Sequence, residues 1–319
     1  MKKNLKTNLI WLAIIAVVYA ILSALIVAGI INAFVAQIIT QIGINLIVAV
    51  GLNLVIGFTG QFSFGSAGFM AIGAYTSAIV TARMAPTWGT IFLSMLIGAI
   101  IAGIVAVIVG YPTLRLKGDY LAIATLGVSE IIRILIMNGG DLTNGAAGLS
   151  GIILFTDWGM TFIFAVVIII LILNFINSPS GRATLSVRED EIASESMGVN
   201  VTRVKVIAFT LGAMVTAIAG SLYAGFIGTV TPKDFTWMKS VDALIIVVLG
   251  GLGSITGTVI AAIILGLLNM FLQDFGAIRM IIYSLVLILV MIFRPGGLLG
   301  TWEFKISRFF NKKENKEAK

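Results

Sequence analysis

The 319-residue chain contains no cysteine, no histidine and only 5 prolines, and just 11% of its residues are Asp, Glu, Lys or Arg. Each shortage removes some chemistry. Without cysteine there are no disulfides and no thiolate nucleophile. Without histidine there is no imidazole base, no His or Cys metal site and no triad that depends on His. Most soluble-enzyme mechanisms therefore lack their parts. A globular domain carries about 25% charged residues, so this chain also has too little charge to cover itself in water.

Apolar residues take up the difference. They make up 59% of the chain, the mean hydropathy is +1.10, and residues 7 to 82 hold no charge at all. As helix, that stretch would extend on the order of 110 Å against a hydrocarbon core of roughly 30 Å, so it must cross three or four times. The opening "MKKNLKTNLIWLAIIAVVYA" has the basic-then-apolar order of a secretory signal. The hydrophobicity runs on past any cleavage point, so it reads as a retained first helix. Candidate spans are 9–31, 33–57, 62–82, 88–112, 119–137, 158–177, 206–229, 241–253, 255–272 and 278–293. The pattern predicts an all-α polytopic membrane protein with about ten segments (range 8–10), the eighth short enough for a half-crossing. It forms one transmembrane domain over 1–319, with a charged loop at 178–205 and a basic tail at 304–319.

The net charge of +7 comes from basic residues in short runs beside apolar segments, and these form no face for nucleic acid. With Lys2, Lys3 and Lys6 in the cytoplasm, ten crossings put Arg115, Lys117, the charged loop and the tail (Lys305, Arg308, Lys312, Lys313) on the same side. The connection 138–157 has Asp141 and Asp157 but no Lys or Arg, and falls outside. Dividing the chain near the charged loop gives two halves of five segments. An odd number would make them an inverted repeat, with weak echoes at "GFTGQFSFGSAG" and "LGGLGSITG".

Three constellations lie at membrane depth. Gly57, Gly60, Gly65, Gly68 and Gly73 are small enough for close helix packing, which is one reading of them. The other is that Gly-Gln-Phe-Ser-Phe-Gly breaks a helix. Exposed backbone is tolerated there only inside protein or along a watery cavity, which makes Gln61 and Ser63 candidates for a translocation path. Val248 to Ile263 makes the same case for Ser254 and Thr256. Glu130 and Arg133, three apart on one helix face, are expected to turn to the bundle interior as a self-neutralising pair or to line the path.

The segment Ser178 to Lys205 holds eight charged residues. Pro179 and Gly181 break the preceding helix, and the pattern predicts a helix over 185–197 that ends at Gly198 in the left-handed conformation. Ile192, Ala193, Ser196 and Met197 share one face of it, while Arg188, Glu191 and Glu195 line another. This is either an ordinary solvated loop or a short amphipathic helix suited to a groove on another protein. No G-x-x-x-x-G-K-[ST] motif occurs, so any ATP-driven work belongs to a partner.

Seven blocks in order carry a resemblance: "GFTGQFSFGSAGFMAIGAYTSA", "YPTLRLKGDYLAIATLGVSEIIR", "NGAAGLSGI", "GRATLSVREDEIASESMGVNVTRVKVIAF", "LYAGFIGTVTPKDF", "VVLGGLGSITGTVIAA" and "FRPGGLLG". Along nearly its full length the chain resembles the permease subunits of bacterial branched-chain amino acid ABC importers, and of their two permeases the LivM type. Family members more usually carry histidine where this chain has Ser66. The resemblance implies a second, LivH-like permease, two cytoplasmic ATPases that bind the ATP, an extracytoplasmic binding protein that delivers Leu, Ile or Val, and no cofactor on this chain. It also implies that the charged loop is the helix that couples to the ATPase through Arg188, Glu191, Ile192, Ala193, Glu195 and Gly198. Permeases for a sugar, urea or another amide, and ion-coupled secondary transporters, remain alternative readings.

Overall fold

A computed structural model describes residues 2–84, 87–116, 118–272, 275, 278–294, 296–300 and 302–303. The expected basic tail, 304–319, and Lys117 lie outside the described residues. The chain forms α1 (Lys2–Val27), α2 (Ala33–Thr59), α3 (Ser66–Arg83), α4 (Trp88–Thr113), α5 (Asp119–Met137), α6 (Trp158–Asn177), α7 (Pro179–Glu189), α8 (Glu191–Ser196), α9 (Val201–Ile227), α10 (Trp237–Gly250), α11 (Ile255–Phe271) and α12 (Ile278–Phe293). A two-stranded antiparallel ribbon joins β1 (Leu149–Ser150) to β2 (Thr229–Val230), with Leu149 opposite Val230.

Among the described residues, five helices are long and apolar enough to cross a membrane: α2, α4, α5, α6 and α9. The pair α10 and α11, bent by 118° at its break, brings the number to six if it is taken as one span. The chain is an all-α, multi-pass membrane protein. Its outward faces are aliphatic, as at Ile100, Ile104 and Ile108 of α4 and Ile163, Val167 and Ile170 of α6.

Helix α9 is the axis of the bundle, and α2, α3 and α4 pack on it. Hydrocarbon gives no hydrophobic drive between helices, so small residues at the crossings supply the contact. Gly73 of α3 meets the backbone of Ala217, and Ser221 Oγ donates to the Gly73 carbonyl at 3.0 Å. Gly220 meets Met70, and Gly51 of α2 meets Gly212. A Cβ on Gly73 or Gly220 would fall within 2 Å of a backbone oxygen, at 1.8 Å and 1.9 Å respectively.

Two ends of the bundle can be told apart. At one end α8 packs on the start of α9, and the last turn of α2 meets α7 and the break between α10 and α11. We call this the loop end. At the opposite end the 152–156 segment hydrogen-bonds to the last turn of α9, and Thr87 and Trp88 of α4 face Leu154 to Asp157 across a hollow of about 600 Å³.

The helix expected over 185–197 is two helices. Ser178 ends α6 and caps α7, with Pro179 in the first turn, where a missing N–H costs nothing. Gly181 then packs so closely on Phe175 and Ile176 that no Cβ would fit. At Asp190 the backbone is extended (φ −156°, ψ 111°), and its carboxylate accepts the N–H groups of Ile192 and Ala193. The sequence pattern missed this because an aspartate inside a polar run reads as another solvated residue, although as a cap it starts a new helix. The stop at Gly198 is as expected: φ is 85°, and Gly198 and Val199 donate back to Glu195 and Ser194.

Gly220→Val is expected to lower stability by about 1–3 kcal/mol or more through overpacking. Gly127→Ala, at a site with no atom within 4 Å of the added Cβ, should be tolerated. Thermal unfolding in detergent separates the two.

Candidate functional site where two backbone breaks meet

Helix α2 ends at the loop end, where Gly60 takes φ 72° and its N–H donates to Ile56. Residues 60–65 are not helical, and α3 starts at Ser66. Helix α9 ends at the opposite end in the same way: Gly228 takes φ 79°, residues 228–236 carry only β2 and one 3₁₀ turn, and α10 starts at Trp237. The two endings share a short sequence, Gly57-Phe58-Thr59-Gly60 and Gly225-Phe226-Ile227-Gly228.

These breaks enter the bundle from opposite ends and meet inside it. Ser240 Oγ, in the first turn of α10, donates to the Phe64 carbonyl at 2.8 Å and accepts the Ala67 N–H at 2.9 Å. Thr125 Oγ1 of α5 accepts the Phe64 N–H at 3.0 Å, and Ser63 Oγ accepts the Gly65 N–H at 3.2 Å. Thr125 lies about 9 Å along α5 from Asp119, and Ser240 about 15 Å along α10 from Gly250, at a rise of about 1.5 Å per residue. The junction is therefore deep in the bundle, where unpaired backbone would cost several kcal/mol.

Gln61 is 2% exposed, and neither of its amide atoms has a partner in the described structure. Ser66 Oγ and Ser129 Oγ are buried and unpartnered too. Ser63 and Ser66 line a cavity of about 10 Å³ between α2, α3 and α9, room for about one water. Ser63 thus sits at the junction, while Gln61, two residues before it, donates its N–H back to Val55 at the end of α2 and keeps a buried amide with spare hydrogen-bonding capacity.

Ser254 and Thr256 lie elsewhere, at the loop end. Ser254 Oγ donates to the Trp302 carbonyl at 2.7 Å and accepts the Gly257 N–H. Thr256 Oγ1 donates to Glu303 at 2.6 Å, and the same carboxylate accepts the Ile255 N–H. The Ser254 hydroxyl and the Glu303 carboxylate cap the start of α11, and the two hydroxyls clamp residues 302–303 to it. Asn53 of α2 holds the other side of this break, donating to the Ser254 carbonyl and Thr258 and accepting the Gly253 N–H at 2.9 Å.

Glu130 and Arg133 pair with each other as expected, Nε to Oε2 at 2.8 Å. They do so on the flank of α5, with side chains 24% and 22% exposed, and not in the bundle interior. The buried face of α5 is taken by Leu121, Thr125, Ser129 and Ile132.

The charged face expected on the loop is dispersed. Arg188 Nη1 donates to the Gly57 carbonyl at 2.7 Å, tying α7 to the last turn of α2. Glu191 pairs with Lys205 of α9, whose side chain is buried. Ala193, Glu195 and Gly198 are exposed, as are Ile192 at 75% and Met197 at 85%. The end of the loop thus presents two large apolar side chains, Ile192 and Met197, beside the polar Glu195 and Ser196.

Sequence reasoning missed Thr125, Ser240 and Asn53. The recurring Gly-Phe-x-Gly at 57–60 and 225–228 was the available signal for the second break.

A bundle of spans with two broken segments meeting at its centre has the architecture of a membrane transport protein. The profile of the family described as "Branched-chain amino acid transport system / permease component" matches residues 34–294, and the chain belongs to that family. It is 36% identical over 278 residues to the high-affinity branched-chain amino acid transport system permease protein LivM of Salmonella typhimurium, and 37% identical over 278 residues to LivM of Escherichia coli. Each alignment covers 76% of this chain and 64% of the relative. The permease protein LivH of Salmonella typhimurium is 29% identical over 276 residues, covering 76% of this chain and 87% of that protein. No solved structure matches.

Ser240→Ala should leave the Phe64 carbonyl and the Ala67 N–H unpaired, at about 1–3 kcal/mol for each group. The expected result is a lower unfolding temperature, largely restored in Ser240→Thr, which keeps the hydroxyl.

Proposed function

We propose that the chain is the transmembrane permease subunit of a bacterial ABC importer that carries leucine, isoleucine or valine across the inner membrane. Energy comes from separate ATPase subunits, since the sequence has no phosphate-binding loop of its own. The cargo reading is supported by the printed names of the LivM and LivH relatives. Salmonella typhimurium has both, which supports pairing of this chain with a second, LivH-like permease; two ATPases and an extracytoplasmic binding protein complete the assembly we propose.

The observation that carries the ABC reading is α8. It is a capped helix of 6 residues with Ile192, Ala193 and Glu195 exposed, followed directly by exposed Met197 and Gly198. Apolar side chains so exposed on a charged loop suit a groove on a soluble partner. The loop end is then cytoplasmic, in keeping with the positive-inside rule, and both chain termini are cytoplasmic after ten crossings. The two Gly-Phe-x-Gly endings, entering from opposite ends, favour two inverted halves of five segments.

Closure of the ATPase pair would press on α8. From there the Glu191–Lys205 ion pair leads to α9, and the Arg188–Gly57 bond leads through α7 to α2. Those two helices each end in one of the breaks, so the push biases the junction between states open to either side. Gln61, with its amide unpaired here, and Ser63 are the polar groups we assign to the path at that junction. Arg188 and Glu191 transmit the motion, and Ile192, Met197, Ala193 and Glu195 make the contact.

Ile192→Asp is expected to abolish co-purification of the ATPase subunits and ATP-dependent uptake. As an exposed site it should change stability by no more than about 0.5 kcal/mol. Unchanged uptake with ATPase still bound would overturn the coupling role of α8.

A further inference from the structure

The segment that follows α12 is fixed to a sharp bend at the loop end. Helices α10 and α11 meet there at 118°, across residues 251–254. Such a bend leaves the last carbonyls of α10 and the first N–H groups of α11 without helical partners. Gly251, at φ 118°, returns its N–H to Val247. Most of the other groups are met by residues from beyond α12. The Leu298 N–H donates to the Leu249 carbonyl at 2.7 Å, and the Leu299 N–H to the Gly250 carbonyl at 3.3 Å. On the other side of the bend, the Glu303 carboxylate accepts the Ile255 N–H and both the N–H and the hydroxyl of Thr256, at 3.4 Å and 2.6 Å. A carboxylate there also meets the positive end of the α11 dipole. Residues 296–300 and 302–303 thus form a strap over the bend, so close that a Cβ on Gly251 would fall 2.3 Å from the Gly300 carbonyl oxygen.

The bend is held from two more sides. Asn53 of α2 donates to the Ser254 carbonyl at 3.0 Å and accepts the Gly253 N–H at 2.9 Å. Arg188 of α7, bonded to the Gly57 carbonyl, also lies against Gly253, where a Cβ would fall 2.5 Å from its Nη1. From the bend α10 runs about 15 Å to Ser240, which bonds Phe64 and Ala67 at the junction. One residue of the charged loop therefore touches both α2 and the end of the helix that leads to the junction. A helix end with open backbone groups frays under a push, whereas one whose groups are paired moves with whatever is packed on it.

We propose that Glu303 is a positioning residue for transport. By closing the start of α11 it keeps the α10–α11 bend rigid, so that motion of Arg188 displaces α10 and, with it, the Ser240 link at the junction. This gives the ATPase side a third route to the junction, beside α9 and α2. A carboxylate suits the task because its two oxygens accept from three donors at once, while an amide in its place has only one acceptor oxygen. The role rests on the reading of the chain as an ATP-driven permease with α8 against the ATPase.

The test uses the assembled importer, with all its subunits, in proteoliposomes, and reads leucine taken up per ATP hydrolysed. Glu303→Gln should lower that ratio about tenfold, equivalent to about 1.4 kcal/mol, with ATP hydrolysis and co-purification of the ATPase subunits at the parental level. A residue that only stabilised the fold would lower uptake and hydrolysis together. A parental ratio in Glu303→Gln, with or without slower rates, would therefore overturn the proposal and leave the importer reading intact. If Glu303→Gln does not assemble, Ser254→Ala, which removes the bond to the Trp302 carbonyl, is read in the same way and decides the matter. If the parent shows no ATP-dependent uptake of leucine, isoleucine or valine, the importer reading falls and the role of Glu303 falls with it.

Discussion

Hydrocarbon offers no hydrogen bond to a broken backbone, and the centre of this protein is organised around that constraint. Where α2 gives way to α3, the chain exposes amide groups at depth, and hydroxyls from other helices take them up: Thr125 from α5 and Ser240 from α10. Ser240 both donates and accepts, so a single oxygen stitches the start of one discontinuous segment to the backbone of the other. Fixing the two breaks to each other gives a membrane bundle a place where irregular structure is tolerated.

The rest of the architecture supports that junction. Helix α9 can lie close to α2 and α3 because Gly51, Gly73, Gly212 and Gly220 carry no side chain at the crossings, and Gly103 of α4 gives the same room to Met214. Close packing of this kind moves as a unit, because a dense interior transmits a displacement and does not absorb it. The connections from α8 through Lys205 and from α7 through Arg188 end on the two helices that run into the breaks. Electrostatic contacts at the loop end and steric contacts in the interior thus join α7 and α8 to the helices that run into the breaks.

Much of this was legible in the sequence, for physical reasons. A mean hydropathy of +1.10 leaves only a bilayer as solvent, and the apolar runs mark helices because helix is the form that pairs its own backbone in lipid. The glycines at 60 and 198 predicted endings that left-handed backbone supplies. The Glu130–Arg133 spacing predicted the ion pair, but not which way the pair faces. Side-chain roles in the loop were read wrongly at Arg188, because periodicity cannot tell a charge that meets solvent from one that meets a carbonyl 131 residues away.

The sequence by itself determined the solvent, the helical class, the family and the existence of a soluble helix with a glycine stop. These follow from composition and from contacts within a few residues, which the chain carries wherever it folds. Only the tertiary structure decided that Ser240 meets Phe64, that Ser254 and Thr256 hold Trp302 and Glu303 and that Lys239 lies beside Asn45. Each of those pairs is brought together by the packing of whole helices across 47 to 194 residues of chain, and no local pattern records which distant hydroxyl or amide will arrive to satisfy a group left open.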